Sequence, residues 1–289
     1  MEVLKALLLG IIQGVTEFLP ISSSGHLSLF RQLFNVETDT AGLFSAMLHI
    51  GTLVAILMMF YRPIYDLFEE FILCIKDIFT GKFTFDLNKM SVTRRMLFMF
   101  IISCIPLLLL LIPTGKGTNL MDAVSVFSSD DSLFAEGICF MLTGFILLLG
   151  TVLNQNYKTK KSVTPLTALL IGFAQLLAAC FPGVSRSGST IATGLCCGVS
   201  KSNMVRYSFI LCIPAVLASG LVEFKDAMEA DVIVPVFPLI VGVIASALVG
   251  IFAIKLLQIL VKKDLFKYFG YYCFILGVVT TIISVIKKI

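Results

Sequence analysis

Residues 8–25 read LLGIIQGVTEFLPISSSG, and residues 170–188 read LIGFAQLLAACFPGVSRSG. Gly10 aligns with Gly172, Gln13 with Gln175 and Pro20 with Pro182, at a constant offset of 162 residues. One residue is then inserted before the Ser/Gly cluster of the second copy. A repeat of this length decides the architecture before any single residue is interpreted. Each copy holds about ten apolar residues before its proline, half of the roughly 20 that a spanning helix needs. Pro20 and Pro182 each remove a backbone donor and crowd the preceding turn, so both helices are expected to end there. The SSSG and SRSG stretches that follow are irregular backbone, which survives at membrane depth only inside protein or against a wet cavity. Residues 27–33 and 191–199 can resume helix. Each copy is therefore expected to form a re-entrant hairpin: helix, polar elbow, helix.

The surroundings of the two copies are apolar. Of 289 residues 58% are hydrophobic and 14% charged, with a mean hydropathy of +1.00. A soluble chain of this length needs far more charge to cover its surface. At least six segments are long enough to span, near 43–61, 95–112, 133–152, 204–222, 233–258 and 268–285. Three follow each hairpin. The expected fold is thus all-α and polytopic, one membrane domain over 1–289 made of repeat one (1–155) and repeat two (156–289).

An odd number of spans per repeat implies two inverted-topology halves, a known architecture with broken helices meeting near the midplane. Loop charges agree. Arg62, Lys76, Lys82, Lys89, Arg94 and Arg95 lie in the connection 62–95, Lys158, Lys160 and Lys161 in the mid-chain linker, and Lys262, Lys263 and Lys267 in a later loop. The intervening loops carry Asp122, Asp130 and Asp131, and Glu223, Asp226, Glu229 and Asp231. The positive-inside rule then puts both termini outside, with Lys287 and Lys288 in mild dissent.

Several function classes drop out. A net charge of +4, scattered over loops, gives no basic patch for nucleic acid. The eight cysteines sit mostly in apolar runs with no C-x-x-C metal spacing and no disulfide framework, and read as small core fillers. Lys5 with Ala6-Leu7-Leu8-Leu9 imitates a signal peptide, but Gln13 and Glu17 follow at once without a cleavage site, so the N-terminus reads as mature sequence. The 25 phenylalanines read as packing and lipid contact. His49, alone in an apolar span beside Gly51 and Thr52, reads as packing too.

The polar residues concentrate in the elbows. Ionisable groups inside a membrane are costly, so each is a functional candidate. Gln13 and Glu17, four apart, share a helix face; after Pro20 come Ser22, Ser23, Ser24, Gly25 and His26. The second copy offers Gln175, then Ser185, Arg186, Ser187, Gly188, Ser189 and Thr190. Hydroxyls, a glycine-permitted turn and the start of a helix form an anion cradle, and Arg186 adds a fork matched to phosphate oxygens. A carboxylate beside an anion site suggests a bridging divalent cation, Mg²⁺ or Ca²⁺ in an oxygen environment, on Glu17 and Gln13. The bland reading is that Ser and Thr bond back to their own helices and that Glu17 and Arg186 neutralise each other. Concentration of the whole set in two repeat-related elbows favours a site for a phosphorylated lipid.

At these residues the chain resembles a known family. EFLPISSSGHL at 17–27 and PGVSRSGSTI at 182–191 look like the two signature motifs of the undecaprenyl-diphosphate phosphatases, also called bacitracin-resistance proteins, and Gln13 with Glu17 matches that family's Glu/Gln-x-x-x-Glu element. The resemblance covers essentially the whole chain. It implies hydrolysis of undecaprenyl diphosphate to the monophosphate and inorganic phosphate, which recycles the carrier lipid of cell-wall synthesis and gives bacitracin resistance. It also implies metal dependence and a site open to the outer face of a bacterial plasma membrane. Gln at 13 and Ser at 24 depart from the commoner Glu and Thr, which shifts metal duty toward Glu17.

Within that chemistry Ser22, Ser24, Gly25, Ser185, Ser187, Gly188 and Thr190 would bind phosphate with Arg186. Ser23 or His26 would attack, or His26 would activate Ser23 or a water. A flippase or transporter for polyprenyl phosphate is the rival, since inverted repeats serve alternating access, but transport needs no nucleophile. Oligomeric state stays open at this level, a homodimer included.

Overall fold

A computed structural model describes residues 3–34, 41–84, 86–87, 89–115, 118–120, 133–157, 161–181, 183–229 and 235–288. Pro182, Lys158, Lys160, Asp122, Asp130, Asp131 and Asp231, to which the sequence assigned roles, lie outside the described residues.

The first copy folds as α1 (Val3–Phe18) and α2 (Ser23–Phe34). Helix α3 (Ala41–Met59) follows, then α4 (Tyr61–Phe79), bent from it by 85°. Helix α5 (Val92–Cys104) runs into a 3₁₀ stretch, Ile105–Leu111, opened by Pro106. A short ribbon pairs Pro113–Gly115 with Thr118–Asn119, and α6 (Leu133–Gln155) closes repeat one. Repeat two comprises α7 (Pro165–Cys180), α8 (Arg186–Cys196), α9 (Lys201–Glu229), α10 (Val236–Lys262) and α11 (Lys267–Lys288).

Among the described residues five helical segments are long and apolar enough to cross a membrane, or six if the bent α3–α4 pair counts as one span. In their most apolar windows only 22% to 50% of residues are buried. Most of the rest are apolar and partly or fully exposed, which in a chain this short of charge means that the solvent is lipid. Helices α1 and α7 have 16 residues each and α2 and α8 have 12 and 11, all short of a full crossing. The connection 62–95, read from its charges as a loop, holds helix α4, whose Glu70 and Asp77 bind Arg94 at the start of α5 at 2.6 and 2.8 Å.

The main contacts run between the two halves of the chain. Helix α1 packs on α10 and α7 on α5, α3 packs on α9, and α6 on α11. Small residues make the closest of these approaches. A Cβ at Gly14 would stand 2.7 Å from the Ser246 carbonyl, and one at Gly144 equally close to the Gly270 carbonyl. Without a hydrophobic drive between lipid-bathed helices, such close backbone packing supplies the dispersion energy that holds them. The main core gathers at the centre, where Phe18 packs edge-on against Phe209 (5.4 Å) and Phe100 stacks on Tyr207 (4.4 Å).

Candidate active site

Both elbows are built by local backbone chemistry. Helix α1 stops at Phe18, two residues before Pro20. Ser22 then takes φ +71°, a left-handed conformation uncommon for a side-chain-bearing residue and one that clusters at functional sites. Its hydroxyl accepts the Gly25 N–H (3.3 Å), capping α2. In the second elbow Gly183 has φ +98°, open only to glycine at no cost, and Ser185 caps α8 by accepting the Gly188 N–H at 3.0 Å.

The elbows meet tip to tip. The Gly183 N–H donates to Ser24 Oγ at 3.1 Å, so the second hairpin is anchored on the first across 159 residues of chain. Both tips back onto Glu136 of α6: a Cβ at Gly25 would lie 3.0 Å from its Oε2, and one at Gly183 would overlap it. The two glycines are required here by close approach. Helices α2 and α8 therefore begin side by side.

Glu17 is the hub. Its side chain is 2% exposed, and both oxygens are engaged. Oε1 is paired with the Arg186 guanidinium and receives the Cys212 thiol at 3.8 Å. Oε2 accepts from Ser23 Oγ at 2.6 Å and from Gln13 Nε2 at 3.0 Å, and His49 Nε2 stands 3.6 Å away. A hydroxyl donating to a carboxylate at that distance is a strong, charge-assisted bond. The chain thus unites Glu17 of one repeat with Arg186 of the other, 169 residues apart.

A cavity of about 440 Å³ opens beside this hub. Its polar floor is Glu17, Ser22, Ser23, Ser24, His49, Gln175, Ser185, Arg186 and Ser187, and its walls are apolar, with Leu107, Leu108, Leu110, Leu111, Ala215 and Val216. The first residues of α2 and α8 both lie on the floor, so two helix N-termini border it, the disposition that favours an anion.

Six of the residues singled out from sequence stand away from the cavity lining, Ser189 among them. Gln13 supports Glu17 from behind. Gly25 and Gly188 act in the turn and the cap. Thr190 donates back to Arg186 and Ser187 carbonyls and bonds Ser208 Oγ at 2.7 Å, the helix-stabilising role that apolar helices commonly give threonine. His26 has both ring nitrogens occupied, Nδ1 on the Ser22 carbonyl and Nε2 on the Tyr272 hydroxyl, each at 2.7 Å. Conversely, His49 and Cys212 reach Glu17 although sequence reading set both aside as packing. The rarity of ionisable groups in apolar spans was the one signal that marked His49.

Among the described residues no three of His, Cys, Asp and Glu converge into a metal cluster. Yet Gln13 Oε1 is buried without a hydrogen-bond partner, on the amide that touches Glu17. An unpaired buried acceptor of this kind costs about 1–3 kcal/mol, and a cation would remove that cost. The donor set fits a divalent ion held by one carboxylate and an amide oxygen and completed by phosphate, as Mg²⁺ sites commonly are.

Comparison with known proteins shows the family. The family model described as "Bacitracin resistance protein BacA" matches residues 6–279. A curated protein of Methanosphaera stadtmanae named undecaprenyl-diphosphatase is 40% identical over 289 residues, covering 99% of both chains. Proteins of the same name from Halothermothrix orenii and Bacteroides fragilis are 37% and 36% identical, each covering 98% of this chain and 99% of their own. The match takes in both elbows and every span except the last turns of α11, and this chain belongs to the bacitracin resistance protein BacA family.

Proposed function

We propose that this chain is a membrane phosphatase that hydrolyses undecaprenyl diphosphate to undecaprenyl phosphate and inorganic phosphate, returning the carrier lipid to cell-wall synthesis. The observation that carries the reading is the Ser23–Glu17–Arg186 constellation on the floor of a cavity with hydrocarbon walls. Such a cavity suits a ligand with a charged head and an apolar tail.

The diphosphate enters with its terminal phosphate on the α2 and α8 N-termini and its prenyl chain along Leu107–Leu111. Arg186 turns part of its fork from Glu17 to the phosphate oxygens, where planar bidentate recognition is strongest. Ser23 Oγ attacks the terminal phosphorus, and its proton passes to Glu17 Oε2, the atom it already contacts. The bond between terminal phosphorus and bridging oxygen breaks, and undecaprenyl phosphate leaves with the proton that Glu17 gives back to it. Water then attacks the phosphoserine, releasing inorganic phosphate and restoring the Ser23 hydroxyl. Protein dipoles fixed beforehand around the phosphoryl group supply most of the stabilisation. Gln13 and Glu17 would hold the divalent cation, Mg²⁺ or Ca²⁺, which when bound neutralises phosphate oxygens as a Lewis acid. His26, turned to Tyr272, holds the Ser22 carbonyl and so the elbow beneath Ser23.

The site opens to the outer face in this reading. Arg94 and Arg95 open α5, Lys201 opens α9 and Lys262 ends α10, an end the positive-inside rule places in the cytoplasm. The cavity lies toward the other ends of α5 and α9, at Leu107–Leu111 and Pro214–Ser219.

The test is release of inorganic phosphate from a C55 or C15 prenyl diphosphate by purified protein, with EDTA, Glu17→Ala and Arg186→Ala as controls. Turnover lost in all three supports the assignment. Normal turnover in either variant removes it.

A further inference from the structure

We propose that His49 is the nitrogen ligand of the divalent cation at Glu17, so that the site takes its protein donors from α1 and α3 together. The proposal rests on the cation reading above and adds a ligand that neither signature motif contains.

The tautomer is fixed by geometry. His49 Nδ1 lies 2.8 Å from the Ser45 carbonyl, which can only accept, so Nδ1 carries the hydrogen. In the neutral ring Nε2 then bears a lone pair, and that lone pair faces Glu17 Oε2 at 3.6 Å. Two acceptors confront each other there. A third, Gln13 Oε1, is buried without a partner on the amide that donates to the same carboxylate oxygen. One extra proton on Nε2 would satisfy the histidine and the carboxylate but leave the amide oxygen unpaired. One cation satisfies all three.

The surroundings agree. Ligands sharing one small divalent ion, each about 2.1 Å from it, stand roughly 3–3.5 Å apart, close to the separation of Nε2 and Oε2. Ligating histidines almost always donate their other ring N–H to a carbonyl or carboxylate, which orients the ring, and Ser45 has that place. His49 also lies on the cavity floor, so the cation would touch both protein and diphosphate. Arg186 and Cys212 occupy Oε1, so the cation would approach from the Oε2 side, where it would share that oxygen with the Ser23 hydroxyl and the Gln13 amide. Because Glu17 is already neutralised by Arg186, the net positive charge of the ion needs the diphosphate, and cation and lipid should bind together.

The chain has two histidines, which makes the test clean. Tag-free protein is loaded with Mn²⁺ in the presence of a farnesyl methylenediphosphonate, whose P–C–P link resists hydrolysis. Pulsed electron paramagnetic resonance then reads imidazole nitrogen coupled to the bound ion. The expected result is nitrogen modulation in wild type and in His26→Gln, absent in His49→Gln, with the Mn²⁺ dissociation constant of His49→Ala raised by about tenfold or more. Bound Mn²⁺ without nitrogen coupling, or coupling that persists in His49→Gln, overturns the proposal and leaves the Glu17–Gln13 cation in place. No Mn²⁺ bound by wild type overturns both.

Discussion

Glu17→Gln separates the two duties of the hub. Glutamine is nearly isosteric, so Ser23, Gln13 and Arg186 keep a side chain of the right shape to contact, but it cannot take the Ser23 proton. A positioned general base contributes about 10²–10⁴-fold to rate, or roughly 3–5 kcal/mol at 1.36 kcal/mol per decade. The substitution frees the Arg186 fork for phosphate but replaces the carboxylate that would hold the cation by a weaker amide ligand, so kcat is read at saturating Mg²⁺ and lipid. The expected signature there is kcat lower by about 10²–10⁴-fold. Stability changes less than for a sealed pair. Losing one partner of a fully buried ion pair costs about 3–5 kcal/mol, but the Arg186 side chain is 22% exposed to the cavity and keeps access to water there. The assay is single-turnover and steady-state phosphate release from farnesyl diphosphate in detergent, with thermal unfolding alongside. A kcat within about threefold of wild type, or a loss carried only by KM, refutes the proton transfer to Glu17.

Three further outcomes follow from the geometry. Arg186→Lys keeps the charge but replaces a planar fork by a point donor; losing one charge-assisted bond, about 1.5–3 kcal/mol, should lower kcat/KM by roughly 10- to 100-fold, whereas full activity would mean that the fork does not grip phosphate. Gly14→Leu places its Cβ 2.7 Å from the Ser246 carbonyl and should lower stability by about 1–3 kcal/mol, read as a drop in unfolding temperature. Tyr272→Phe removes the donor to His26 Nε2 and should leave turnover within about threefold, because that pair stands outside the cavity; a collapse of kcat would restore His26 to the chemistry.

The two Ser/Gly copies and the long apolar runs carried the all-α membrane architecture in plain view, because a lipid solvent leaves the chain so few options. Proline positions told where the short helices end, and Phe18 bears that out. What the sequence hid was distance in space. Charges along 62–95 disguised α4, since an amphipathic helix and a charged loop differ little in composition. The motifs named Glu17, Ser23 and Arg186, but not that Ser24 would take the Gly183 N–H and bring the elbows together. Nor did they show that Thr190 would turn to Ser208 while His49, in a different helix from either motif, would turn to Glu17. A lone histidine among Gly, Thr and Leu carries no spacing signal, so its partner became visible only once α1 and α3 were placed side by side.

The most direct test of the account is phosphate release from a prenyl diphosphate by Ser23→Ala. Ser23 opens α2, donates to Glu17 and lies on the cavity floor, and its loss leaves the Glu17–Arg186 pair and the helix packing untouched. Removing a nucleophile held against its base should cut kcat by about 10³-fold or more while the lipid still binds and the protein still melts as wild type. Turnover by Ser23→Ala at the wild-type rate would contradict the central claim.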